Sequence, residues 1–181
     1  MKRVLVVGCA GAGKTRFTRQ LSEVTGLPIV HLDQYFLQPG WQLPDMRAWS
    51  TTVEELIARP IWIMDGNYNS TLVTRLKRCD TVVFLDVPRR ICLWRIVLRT
   101  VKTFRKNRAD VAPGCPERFN LGFFKYVWNY RRNHRPRLTA ALEGFRGNKI
   151  VLSGSAEVKN CLVELGKNTG SLNYDTPSTT S

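Results

Sequence analysis

Residues 3–17 read RVLVVGCAGAGKTRF, and this stretch decides the fold. Arg3–Val7 is a short apolar run rich in valine, Gly8 to Thr15 follows with the spacing GxxxxGK[ST], and Lys14–Val24 places Phe17, Leu21 and Val24 at helical spacing before stopping at Thr25-Gly26. Strand, glycine loop and helix in that order define a phosphate-binding P-loop. Gly8 and Gly13 permit backbone conformations that a side chain would obstruct, so the amides of Gly8, Cys9, Ala10, Gly11, Ala12, Gly13, Lys14 and Thr15 can line one anion-sized nest. The helix N-terminus behind the loop adds a favourable dipole. Lys14 is then expected to reach the β and γ phosphates of a nucleoside triphosphate, and the Thr15 hydroxyl to ligate Mg²⁺.

Working outward, four more short apolar runs read as strands: Pro28–His31, Pro60–Met64, Thr81–Asp86 and Lys149–Leu152. They do not alternate apolar with polar residues, which predicts strands buried on both faces and hence a parallel sheet covered by helices. Thr51 with Glu54 matches a capping box and predicts a short helix through Arg59. After Pro88 a longer helix is predicted with Ile91, Trp94, Leu98 and Val101 on one face and Arg95, Arg99 and Lys102 on another. Further helices are expected at Phe119–Tyr130 and from Pro136 to Glu143. Lys106 to Glu117, with Pro113, Gly114 and Pro116, reads as a mobile loop. The polar stretch NTGSLNYDTPSTTS from Asn168 reads as disordered. No internal repeat is present, and the pattern is one α/β domain with an inserted basic subdomain.

With 43% apolar and 23% charged residues over 181 positions, the chain has the composition of a globular domain with a core of its own. Its five cysteines are scattered, odd in number and form no CxxC pair, which argues against a disulfide framework or zinc site. No apolar run approaches the roughly 18 residues of a membrane span, and Val4 to Val7 is too short for a signal core, so no membrane association and a cytoplasmic protein are expected. The net charge of +14 is concentrated: residues 89–137 hold 14 basic and two acidic residues, whereas residues 1–88 carry only +2. Arginine outnumbers lysine 19 to 9, and guanidinium forks suit phosphate oxygens. The partner is therefore polyanionic, a nucleotide phosphate chain or a nucleic acid.

Beyond the P-loop, WIMDGNY (residues 62–68), DVPRRICLWRIVLR (86–99) and KIVLSGSAEV (149–158) make the chain resemble, from Lys2 to Leu165, the P-loop kinases of the adenylate kinase type. The resemblance implies an α/β P-loop NTPase fold: a five-stranded parallel sheet flanked by helices over residues 1–166, a basic helical lid inserted at about 100–134, and a disordered polar tail at 167–181. It implies ATP and Mg²⁺ as cofactors, Asp65 holding a Mg²⁺-bound water, and Arg95 and Arg99 on the adenine face and the phosphates. One or more of Arg131, Arg132, Arg135 and Arg137 would come from the lid's returning arm, and the backbone near Ser155 would read the adenine. HLDQYF, PGW, DGNY, GCPE and WNYRRNHRPRL further resemble a bacterial group labelled adenylate kinase-like or DNA topology modulation proteins, a label that describes a phenotype and not a chemistry.

The family places arginines three residues after the equivalent of Asp33 and four after that of Asp65, where they grip an acceptor phosphate. This chain has Phe36 and Asn69 there, so either Arg47 and Arg75 replace them or the acceptor is a neutral, hydroxyl-bearing small molecule. His31, Asp33 and Asp65 follow the second and third strands, where doubly wound sheets bind ligands. Asp33 is the candidate to orient an acceptor hydroxyl or take its proton, with a turn or cap as the plainer role. His31 reads as a packed, hydrogen-bonded residue. Tyr35, Phe36, Trp41 and Tyr68 are pocket walls or core.

Eight aromatic residues (Trp94, Phe104, Phe119, Phe123, Phe124, Tyr126, Trp128, Tyr130) interleave with the basic residues of 89–137. They form either the lid's own core or a surface on which bases of a single strand would stack. Weak, non-specific nucleic-acid binding follows from charge alone. The function read from the sequence is transfer of the γ-phosphate of ATP to a small-molecule acceptor. The alternatives are a nucleic-acid-binding NTPase that uses hydrolysis as a switch and a P-loop scaffold without turnover.

Overall fold

The computed structural model describes residues 1–106 and 109–170. Its centre is a sheet of five parallel strands: β1 (Arg3–Gly8), β2 (Ile29–His31), β3 (Trp62–Asp65), β4 (Thr81–Leu85) and β5 (Asn148–Leu152), in the order β2-β3-β1-β4-β5. The three inner strands are buried on both faces apart from Arg3, as their unbroken apolar runs require, whereas β5 is an edge strand with only Leu152 fully buried.

Because side chains alternate along a strand, β1 feeds two separate cores. Val4 and Val6 pack with Phe17 and Leu21 of α1 (Lys14–Thr25), Cys92 and Ile96 of α5 (Arg89–Thr103) and Val127 of α6 (Leu121–Asn133). Leu5 and Val7 pack with Trp49 and Val53 of α3 (Met46–Ala58), Leu76 of α4 (Leu72–Arg78) and Leu138 of α7 (Arg135–Glu143). The remaining helices are α2 (Leu32–Phe36) and α8 (Ser155–Gly170), whose Val158, Leu162 and Leu165 lie against the first core.

Several expectations are corrected. The helix before Arg59 starts at Met46, because Asp45 caps it by accepting the Arg47 and Ala48 amides at 2.9 and 3.1 Å; Thr51 lies inside it, donating to the Arg47 carbonyl. Helix α5 buries the face opposite to the predicted one: Cys92, Ile96 and Thr100 point inward, while Trp94 and Val101 are 62 and 63% exposed. The expected tail from Asn168 begins inside α8, which runs to Gly170; residues 171–181 lie outside the described residues. Instead of standing free, residues 109–117 pack onto the segment after α2, with Val111, Ala112 and Cys115 buried against Leu37 and Trp41.

Candidate active site

The sheet's order brings the carboxyl ends of β1, β2 and β3 together, and with them the P-loop, His31 and Asp65. Two glycines are fixed by close approach. A Cβ at Gly8 (φ +147°) would stand 2.5 Å from the Leu85 carbonyl oxygen, and one at Gly11 (φ +79°) would collide with the carbonyl of Cys92. The second contact explains the face that α5 buries: its first turn lies directly on the P-loop, and only residues on that side can be covered.

Lys14 Nζ folds back to donate to the carbonyls of Gly8 (2.9 Å) and Cys9 (3.1 Å). The Cys9 side chain is buried, and a hydrogen bond with Cys92 followed by burial raises its pKa far above the usual thiol range. The side chain is thus turned into the core, which leaves the Cys9 backbone to the loop. Arg95 donates to the Ala12 carbonyl at 3.0 Å and to Ser155 Oγ at 3.4 Å, joining the loop to the start of α8. Arg99 is held by Glu117 at 3.2 Å.

These residues open onto one cavity of about 1320 Å³ whose wall includes Lys14, Thr15, Asp33, Asp65, Arg95 and Arg99. A second cavity, of about 880 Å³, lies between α1 and α8 and is lined by Gly13, Arg95, Gly154 and Ser155. Of the side chains proposed from sequence, Lys14, Thr15, Asp33, Asp65, Arg95 and Arg99 thus reach the first cavity, and Ser155 the second. Arg131, Arg132 and Arg137 line neither, and Arg135 is committed to a bidentate pair with Asp86, its closest contact 2.6 Å.

At the carboxyl ends of β2 and β3, His31 Nδ1 lies 2.9 Å from Asp65 Oδ1. Burial alone would lower the imidazole pKa, but the Asp65 hydrogen bond and the charges of Asp65 and Asp110 outweigh it and raise the value above 6.5. Tyr68 donates its hydroxyl to Asp33 Oδ1 at 2.5 Å, and burial together with the Asp33 charge raises the phenol's pKa well beyond its usual value, fixing it as a donor. Phe36 and Tyr68 wall the cavity and close on Trp49 with ring centroids 4.5–5.1 Å apart, whereas Tyr35 is exposed.

Arg75 does not stand in for a missing phosphate anchor. It is wholly buried and donates to the carbonyls of Gly66 (2.9 Å), Asn67 (2.5 Å) and Tyr68 (2.9 Å), which makes it the internal support of the loop after β3. Burial draws its guanidinium down to about 10, still charged at neutral pH. Arg47 is exposed and outside the cavity. Replacing Arg75 with methionine leaves three carbonyls without this donor, at about 1–3 kcal/mol each where they remain buried. We expect a stability loss of about 3 kcal/mol or more, seen as a Tm lower by roughly 6–12 °C for a chain of this length. A change of under about 2 °C would show that the loop holds itself.

Asn67, Asp110 and Arg19 were not singled out by sequence. Asn67 Oδ1 accepts the Gly8 amide at 3.0 Å, and Asp110 Oδ2 accepts the Thr15 hydroxyl at 3.0 Å. Arg19 follows Thr15 by one turn and lines the cavity. Asp110 carried one signal: it and Glu117 are the only acids in the +12 segment, and both are engaged with site residues. Thr15 and Asp65 offer hard oxygen donors within one cavity, which suits Mg²⁺, and Asp110 accepts the Thr15 proton beside them. No group of three or more acidic, histidine or cysteine ligands is present among the described residues. All five cysteines are free, and no described helix is long and apolar enough to cross a membrane.

The fold is that of the small P-loop kinases. The chain is similar to shikimate kinase from Acinetobacter baumannii, solved in complex with shikimate (TM-score 0.60, 16% identity, covering 97% of this chain and 96% of that one). It is similar also to shikimate kinase from Bacteroides thetaiotaomicron (TM-score 0.56, 14% identity, 93% and 98% covered) and to a gluconokinase from Sinorhizobium meliloti 1021 (TM-score 0.51, 14% identity, 97% and 98% covered). No protein-family profile and no curated protein matches the chain.

Proposed function

We propose that this protein is an ATP- and Mg²⁺-dependent phosphotransferase that moves the γ-phosphate of ATP to a hydroxyl of a small-molecule acceptor. The observation that carries the reading is a single cavity holding the P-loop's Lys14 and Thr15 on one side and Asp33, fixed by Tyr68, on the other. The P-loop amides and Lys14 bind the β and γ phosphates, and Arg95 and Arg99 neutralise charge that develops as the phosphoryl group moves. Asp33 orients the acceptor hydroxyl and takes its proton. Thr15 and Asp65 would hold Mg²⁺, which supplies charge neutralisation at the phosphate oxygens. Ser155 and the turn before it would meet the adenine. The fold neighbours named for shikimate and gluconate chemistry support a small hydroxylated acceptor, and the absence of arginine at Phe36 and Asn69 supports one without a phosphate at that place. The free thiols suit a reducing, cytoplasmic setting. The closer resemblance to the bacterial adenylate kinase-like group rests on the sequence motifs alone. Screening purified protein with ATP and Mg²⁺ against nucleosides, nucleotides, sugars and polyols for acceptor-dependent ADP release tests the reading; no stimulation by any class would refute it.

One observation favours the nucleic-acid reading: Trp94 and Trp128 are 62 and 49% exposed on the basic arm, with the Arg89 guanidinium 4.2 Å from the Trp128 ring centroid. The arm's other aromatics also contact one another, Phe104–Phe119–Phe124 and Tyr126–Tyr130–His134, although Phe104 and Phe119 remain exposed. Arg95→Ala and Arg99→Ala are expected to weaken ATP turnover without any nucleic acid present, each by a few kcal/mol of transition-state stabilisation. Oligonucleotides should bind no tighter than roughly 10⁻⁶ M at physiological salt. Nanomolar binding by fluorescence anisotropy, with both variants normal in ATP turnover, would favour the switch.

A further inference from the structure

The basic segment's acid Asp110 lies 95 positions along the chain from the P-loop threonine whose proton it accepts. A hydroxyl has one proton and two lone pairs. To ligate a cation it must turn a lone pair toward the ion and its proton elsewhere, and a fixed carboxylate acceptor holds it in that orientation. Such partners of metal ligands set metal affinity without touching the ion. Asp110 is half-buried and lines the same cavity as Lys14, Asp33 and Asp65.

What places Asp110 is a strap, residues 109–118, fastened to the segment that follows Asp33. Gln34 Nε2 donates to the Ala109 carbonyl (2.6 Å), the Gly40 amide to the Gly114 carbonyl (2.9 Å), Cys115 Sγ to the Gln38 carbonyl (3.1 Å) and Trp41 Nε1 to the Pro116 carbonyl (3.2 Å). Val111, Ala112 and Cys115 are buried against Leu37 and Trp41, and the Arg118 guanidinium stacks 5.4 Å from the Trp41 ring centroid. The strap thus spans from the acceptor side of the cavity to the metal-ligand side.

We propose that Asp110 is a positioning residue for the Mg²⁺ that accompanies ATP: by accepting the Thr15 proton it presents the hydroxyl's lone pair to the cation, and it does so only while the strap is docked on residues 34–42. The proposal rests on the ATP–Mg²⁺ reading above. It gives Asp110 opposite effects in two conditions. Without a cation its charge opposes the triphosphate; with Mg²⁺ bound that opposition is offset and the oriented Thr15 hydroxyl favours binding.

The test is the ATP dissociation constant by isothermal titration, in excess Mg²⁺ and in EDTA, for wild type, Asp110→Ala, Asp110→Asn and Trp41→Ala. Asp110→Ala should weaken Mg²⁺–ATP by about 10–100-fold, the range for lost partners of metal ligands, and leave metal-free ATP binding equal or tighter. Asp110→Asn, whose amide oxygen still accepts the Thr15 proton, should recover most of the loss. Trp41→Ala, which removes the Pro116 bond, the apolar seat and the Arg118 stacking that hold the strap without touching the cavity, should reduce the Mg²⁺ enhancement several-fold. The proposal is overturned if the enhancement in Asp110→Ala or in Trp41→Ala stays within about twofold of wild type, if Asp110→Asn loses as much as Asp110→Ala, or if Asp110→Ala tightens ATP equally in both buffers. Wild-type protein that binds ATP in neither buffer would instead refute the nucleotide reading itself.

Discussion

Lys14→Ala is expected to weaken ATP binding by about 100-fold or more and to abolish turnover, with the fold unchanged. Among the described residues the Lys14 ammonium donates to two carbonyls of its own loop, Gly8 and Cys9, and it lies at the cavity wall, so its loss leaves both cores intact. With phosphate bound the same donors face anionic oxygens, where charge-assisted bonds contribute about 1.5–3 kcal/mol each, and two of them account for the expected factor. Isothermal titration beside circular dichroism reads both halves. A folded variant with unchanged ATP affinity would show that the glycine loop is not a phosphate site.

Asp33→Asn should separate acceptor chemistry from nucleotide binding. The asparagine keeps an oxygen to accept the Tyr68 hydroxyl, so the local hydrogen bond survives while the proton acceptor is lost. General-base removal lowers transfer by roughly 10²–10⁴-fold, and ATP affinity should move by less than about threefold because the role proposed for Asp33 is toward the acceptor and not the phosphates. If transfer to the identified acceptor persists within about threefold of wild type, Asp33 is only the turn residue that pins Tyr68.

The parts of this architecture that were legible in the sequence are those fixed by local chemistry. RVLVVGCAGAGKT dictates its own strand, nest and helix, and the apolar runs of β3 and β4 announce strands covered on both sides. The face of α5 was not legible, because counting apolar residues selects Ile91, Trp94, Leu98 and Val101. The buried side is decided by a contact that no window contains, the seating of Cys92 on Gly11. Arg75 shows the same limit: a guanidinium that would suit a phosphate is buried instead under the backbone carbonyls that shape the site. Asn67 and Asp110 act through hydrogen bonds spanning 59 and 95 positions, which only the fold brings together.

Phosphorus-31 NMR of the protein with ATP, Mg²⁺ and the best acceptor from the screen separates phosphoryl transfer from hydrolysis. Phosphoryl transfer gives a new phosphomonoester resonance growing in step with ADP, absent without acceptor and absent for Lys14→Ala. ADP accompanied only by inorganic phosphate, unchanged by any acceptor, would contradict it.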